Sequence, residues 1–172
     1  MRSGKTAIFA TAAAGLVLAF GSAATAAGGA DTPDALMRKI MASYKVTAKG
    51  SNAMIGQKYF DPALTKLDQD NSKLMDGVDV LDWDPVCGCQ DVGGTYKWSG
   101  HSQGADWIAT VSDSEAKGSW QVVWKKIGGR WLIYDVIEPD QGSIRGLLER
   151  HNKCAREKIA KHQKPDACTD VK

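Results

Sequence analysis

The change of apolar period along this chain constrains its fold more than any other feature of the sequence. From about Thr95 onward, apolar residues recur every second position. Ala105, Trp107, Ala109 and Val111 fall on one face of a first run, and Trp120, Val122 and Trp124 do the same in the next. A period of two places alternate side chains on opposite faces of a strand, so each run reads as a strand with one face buried. Lys125-Lys126-Ile127-Gly128-Gly129-Arg130 then forms a hairpin turn before a third run, Trp131 to Ile137, because paired glycines accept the positive φ of a tight turn. At least three antiparallel strands follow.

Before Thr95 the period is helical. Asp31-Thr32-Pro33 places a capping residue ahead of proline, and Met37, Ile40, Met41 and Tyr44 then recur at i, i+3, i+4 and i+7. Lys45 to Asn52 is a polar connection containing Gly50. Asp61-Pro62 starts a second helix, with Leu64, Leu67 and Leu74 on its apolar stripe. After Pro139 a closing helix runs from about Ser143 to Lys161 and carries Ile144, Leu147, Leu148 and Ile159. Helices first, a meander of strands and a last helix describe an α+β chain whose helices cover one face of a curved sheet.

The first 26 residues read as a secretion signal. Arg2 and Lys5 precede an uncharged run from Thr6 to Phe20, followed by a small-residue tract with Ala24-Thr25-Ala26 as an A-x-A cleavage site. The run is shorter than the ~20 apolar residues of a membrane-spanning helix. The expected chain after cleavage is therefore not membrane-spanning, with a short linker at 27–32 and a periplasmic or secreted location. The whole chain holds 22 Lys plus Arg and 20 Asp plus Glu; cleavage removes two basic residues and no acidic ones, which leaves 20 against 20. That balance lacks the basic footprint of a nucleic-acid binder. About 145 residues suffice for one domain with a sizeable core, to which six tryptophans and four tyrosines contribute.

Asp82-Trp83-Asp84-Pro85, then Gln90-Asp91, then Gly129-Arg130-Trp131-Leu132-Ile133-Tyr134-Asp135-Val136 resemble the YbjP/YqhG-type family of uncharacterised bacterial envelope proteins. The resemblance covers roughly Pro33 to Arg150. It implies a domain at 33–150 with the nuclear-transport-factor-two-like (NTF2-like) fold, a cone-like curved antiparallel sheet packed against N-terminal helices with a pocket at its open end. It also marks Asp82, Trp83, Asp84, Gln90 and Asp91 as the binding signature. The two cysteines between Pro85 and Gln90, and the cysteine-bearing tail at 151–172, depart from the family pattern.

Asp76, Asp79, Asp82, Asp84 and Asp91 fall within one short stretch. Such a cluster can hold a general acid and base or a hard metal ion. The plainer reading is that they fix turns around glycine and proline, since aspartate bonds local backbone N–H groups. On that reading Asp82, Asp84, Gln90 and Asp91 organise the entry to the sheet. A calcium loop from Asp68 fails, because Lys73 stands where glycine is required and Asp79 where glutamate is. His101, between Gly100 and Ser102-Gln103-Gly104, reads as a solvated residue of a connection between strands. No serine sits in a nucleophile elbow and no glycine-rich segment opens a phosphate-binding helix, so neither a catalytic residue, a metal nor a cofactor is assigned.

Four cysteines in an exported chain suggest oxidation, and three pairings are open. The expected pairing joins Cys154 to Cys168, which fastens the tail, and leaves Cys87 to Cys89 with a bend supplied by Gly88; the rival arrangement crosses the two segments. Two functions follow. The first is a noncatalytic envelope module that binds a small ligand, a cell-wall fragment or a partner protein. The second is a small cofactor-independent enzyme of isomerase or hydrolase type that uses pocket carboxylates with Tyr96 or His101.

Overall fold

The computed structural model describes residues 32–46, 54–75, 80–90, 95–113 and 118–168. The signal segment, Asp76, Asp79 and Asp91 lie outside these residues. In chain order the elements are α1 (Pro33–Val46), a 3-10 turn (Gly56–Tyr59), α2 (Pro62–Leu74), the strands β1 (Tyr96–Gln103), β2 (Asp106–Asp113), β3 (Ser119–Ile127), β4 (Arg130–Glu138) and β5 (Gly142–Ser143), α3 (Ile144–Ala160) and a last 3-10 turn (Pro165–Cys168). The architecture is α+β, a five-stranded antiparallel meander in the order β1-β2-β3-β4-β5 with three helices.

Each helix begins where a side-chain oxygen can take up amide groups that the first turn leaves unpaired. The Thr32 hydroxyl accepts from the Ala35 amide at 3.2 Å. Asp61 caps α2, accepting from Ala63 and Leu64 at 2.7 and 3.0 Å ahead of Pro62. The Ser143 hydroxyl accepts from the Gly146 amide at 2.9 Å and caps α3. The turn between β3 and β4 is formed by Gly128 and Gly129, both at positive φ, 58° and 82°. That is the geometry a two-residue hairpin needs.

Three local expectations are corrected. His101 belongs to β1, paired with Ile108, because the first hairpin turns later, at Gly104 and Ala105. Ala105 is consequently an exposed turn residue and not the first member of the buried face. Ile159 is 46% exposed, since the last turn of α3 runs past the edge of the core.

Trp107, Ala109 and Val111 of β2 and Trp120, Val122 and Trp124 of β3 all point into one core. There they meet Met37, Ile40 and Tyr44 of α1, Leu64 of α2, and Ile144, Leu147 and Leu148 of α3. The ring of Trp107 packs against Gly100 of the neighbouring strand, where a Cβ would stand 2.8 Å from its Cε2. Strand β4 breaks the alternation. Val123 pairs with Asp135 but Trp124 pairs with Ile133, so Tyr134 is an extra residue in a bulge. The bulge lets Ile133 and Val136, three positions apart, both face the core.

Tyr134 faces outward, between the Lys125 ammonium and the Arg145 guanidinium, each 4.1 Å from its ring centre. Asp135, next along, accepts hydrogen bonds from the Val136 and Arg145 amides at 2.9 Å and from the Ser143 hydroxyl at 2.6 Å. Arg145 in turn pairs with Asp61 and donates to the Tyr134 carbonyl at 2.9 Å. One guanidinium thus joins the starts of α2 and α3 to the bulge of β4.

Cys154 is bonded to Cys168 and Cys87 to Cys89, with Cα–Cα distances of 5.8 and 5.2 Å. Such bonds persist in oxidising compartments, which fits a chain that works outside the cytoplasm. No helix among the described residues is long and apolar enough to cross a membrane. The bridge to Cys168, itself fully buried, closes a separation of 14 residues and fixes the tail on α3. Replacing Cys154 and Cys168 together by serine is expected to lower stability by about 3 kcal/mol and Tm by several degrees. Urea and thermal melts check this, and a melt identical to wild type rejects it.

Candidate functional site

Residues 81 to 90 form a compact hairpin at the end of the sheet, and the signature residues within it divide into two groups. Asp84 and Cys89 exchange backbone hydrogen bonds, the Asp84 amide donating at 2.9 Å and the Cys89 amide at 3.3 Å. Gly88, at φ 62°, turns the chain between them. The indole of Trp120 donates to the Val86 carbonyl at 3.0 Å, and its six-membered ring covers Gly88.

Asp84 faces inward. It is 2% exposed, and its carboxylate accepts from the Tyr44 hydroxyl at 2.8 Å, the Gly56 amide at 2.7 Å and the Val86 amide at 2.9 Å. Gly56 is required for this approach, because a Cβ there would stand 2.6 Å from Asp84 Oδ1 and collide with Val86. Burial pushes the Asp84 carboxyl above the ordinary carboxylate range against the opposing pull of these donors. Burial likewise pushes the Tyr44 hydroxyl up, and the neighbouring Asp84 charge adds to the effect. The pair is within proton-transfer distance, but neither residue lines either of the two clefts described below. Its place is structural, tying α1, the 3-10 turn and the hairpin together.

Trp83, half-buried against the core, and the exposed Gln90 help line a cleft of about 710 Å³ whose walls also include Trp120, Glu138, Pro139 and Asp140. The Trp83 indole donates to Glu138 at 3.0 Å. Burial raises the Glu138 carboxyl, the Trp83 hydrogen bond works against that, and the charge of Asp140 reinforces it. Among the described residues no basic side chain pairs with Glu138 or Asp140. Asp82 is exposed and accepts from the Gln90 amide at 3.0 Å, holding that side chain at the rim.

A second cleft, of about 490 Å³, opens between α1 and β1, with Asp34, Arg38, Lys45 and Trp98 among its walls. Its charges are partly consumed internally: Arg38 pairs with Asp34 at 2.8 Å and lies 5.7 Å from the ring centre of Trp98. Of the residues considered for enzymatic roles, Tyr96 also lines this cleft and packs on Tyr44 at 5.6 Å between ring centres, while His101 is exposed on β1 outside both clefts. Among the described residues no group of three or more His, Cys, Asp or Glu side chains is arranged to hold a metal ion.

Sequence reasoning missed Glu138 and Asp140, which it treated only as the boundary between the last strand and the last helix. Acidic residues on both sides of Pro139 were the available signal. It also read Trp120 as core alone, whereas that residue serves both core and cleft. No protein-family model, curated protein or solved structure matches the chain.

Proposed function

We propose that this chain is an exported, periplasmic or secreted, noncatalytic binding module of the YbjP/YqhG type with an NTF2-like fold, and that its ligand seat is the cleft beside the signature hairpin. The observation that carries this reading is the composition of that cleft. Half-buried Trp83 offers aromatic surface with the edge of the largely buried Trp120 behind it, while Glu138 and Asp140 stand at the wall without basic partners among the described residues. An apolar platform with a few fixed acceptors is the usual chemistry of a small-ligand seat. Tryptophan surface suits the apolar face of a sugar ring, and the carboxylates and Gln90 suit its hydroxyl and amine donors. A soluble cell-wall saccharide fragment is the ligand class that meets both requirements.

Isothermal titration with cell-wall oligosaccharides, followed in parallel by tryptophan fluorescence, tests the reading. Trp83→Ala and Glu138→Gln are each expected to weaken binding by about tenfold or more, as the loss of a stacked ring or a charged acceptor does. Trp98→Ala, in the other cleft, is expected to leave affinity unchanged. Loss of binding in Trp98→Ala with retention in Trp83→Ala moves the seat to the α1–β1 cleft. Chemical turnover of the saccharide by the wild type, lost in Glu138→Gln, replaces the module with an enzyme.

A further inference from the structure

We propose that Cys87–Cys89 is an exchangeable disulfide that accepts an external thiolate at Cys89 and releases Cys87, giving the chain a thiol–disulfide exchange activity apart from ligand binding. The two disulfides serve the fold differently. Cys154–Cys168 closes a separation of 14 residues and fastens a buried tail, whereas Cys87–Cys89 closes a separation of 2. So short a ring removes little freedom from the unfolded chain, so the bond contributes little as a brace.

The hairpin that carries the pair is held by contacts in which no sulfur takes part. Asp84 and Cys89 exchange backbone hydrogen bonds, Asp84 holds the Val86 amide, and Trp120 holds the Val86 carbonyl. Gly88, at φ 62°, supplies the bend that brings the two Cα atoms to 5.2 Å. These contacts remain when the sulfur–sulfur bond opens, and they keep the thiols within reach of each other. Reversible exchange on a folded protein requires that property.

Access separates the two sulfurs. Cys87 is 1% exposed and Cys89 is half-buried, so an incoming thiolate meets Cys89. A thiol gives its proton to solvent, its sulfur attacks Cys89 Sγ, and the bond to Cys87 breaks with the electron pair leaving on Cys87. Cys87 Sγ takes a proton from solvent. It lies 3.5 Å from the Asp84 carbonyl oxygen and 3.9 Å from that of Cys89, which can accept its new S–H. When the partner is a dithiol, its second thiolate attacks the partner sulfur of the mixed disulfide and Cys89 leaves as a thiolate that is then protonated. Two electrons and two protons have then passed from the dithiol to the pair, and the partner holds the disulfide.

The test uses the full folded chain, equilibrated with reduced and oxidised glutathione, then alkylated and mapped by mass spectrometry. Cys87–Cys89 is expected to open while Cys154–Cys168 stays closed and the near-UV circular dichroism is unchanged. In Cys87→Ser, and in Cys87→Ala should serine unsettle the core, the glutathione adduct is expected to form at Cys89 on the order of tenfold faster than at Cys87 in Cys89→Ser. A single-cysteine peptide run in parallel distinguishes partners: faster adduct formation with the peptide assigns a protein thiol, and faster formation with glutathione a small one. No adduct with either probe, or opening of Cys87–Cys89 only at denaturant concentrations that unfold the chain, overturns the proposal. Equal rates at Cys87 and Cys89 overturn the direction of attack.

Discussion

Trp124→Ala is expected to destabilise the protein by about 3–5 kcal/mol, a large part of the about 5–15 kcal/mol that holds a typical domain together. Trp124 is fully buried at the centre of β3, opposite Trp107 on one side and Ile133 on the other, with the Tyr59 ring 6.4 Å away. Its indole N–H is buried without a hydrogen-bond acceptor among the described residues. Truncation therefore sacrifices no hydrogen bond, and the loss is one of packing and of the cavity left behind. The same fact makes Trp124→Phe milder, because the smaller ring removes an N–H that gains nothing from burial. Urea melts of the three proteins decide the matter. A Trp124→Ala variant as stable as wild type places the ring outside the core, and a Trp124→Phe variant as damaged as Trp124→Ala assigns the indole N–H a partner.

Asp84→Ala is expected to cost a similar amount, about 3–5 kcal/mol, for an electrostatic reason. Removing the carboxylate leaves the Tyr44 hydroxyl and the Gly56 and Val86 amides buried without their acceptor. Asp84→Asn keeps one acceptor oxygen and is expected to cost less. The two Asp84 variants should also differ from wild type in pH dependence. Burial raises the Asp84 carboxyl in the folded state. The folded chain therefore holds a proton that the unfolded chain, with an ordinary pKa of about 3.9, has released. The stability linked to that proton is fully present below the unfolded value and is lost as pH rises through the folded one. Wild-type stability relative to Asp84→Asn should accordingly fall as pH rises above about 4. Glu138 is raised as well and acts with the same sign, but it is present in both proteins and cancels in the difference. Parallel stability curves for the two proteins across this range reject the buried, proton-retaining carboxyl.

The signature segment shows how far the sequence reached. The plain reading takes Asp82, Asp84, Gln90 and Asp91 as one group that organises entry to the sheet, yet among the described ones Asp84 alone is buried with its hydrogen-bond partners in the core. Trp83 and Gln90 turn to the cleft, Asp82 steadies Gln90 from solvent, and Asp91 lies outside the described residues. The contacts that separate these roles are long-range. Tyr44 is 40 positions before Asp84, and Glu138 is 55 positions after Trp83. Nothing at either end of such a pair signals the other until the chain has folded back.

What the sequence determined by itself is the set of features governed by neighbours in the chain. The apolar faces of α1, β2 and β3, the caps at Asp61 and Ser143, and the Gly128-Gly129 turn each follow from residues within a few positions of one another, where period, hydrogen-bonding reach and allowed φ are local quantities. The tertiary structure decided the rest. Strict alternation would send Ile133 and Val136 to opposite faces of β4, and both are core only because the bulge at Tyr134 shifts the register against β3. The same shift sets Asp135 and Arg145 where they bind the starts of α2 and α3. The spacing of the four cysteines favours Cys154–Cys168 with Cys87–Cys89 over the crossed arrangement, and the hairpin at Asp84–Cys89 and the turn at Pro165–Cys168 supply the distances that this pairing needs. These choices depend on which surfaces meet across tens of residues, and a free energy of contact between distant segments has no counterpart in the local pattern of either.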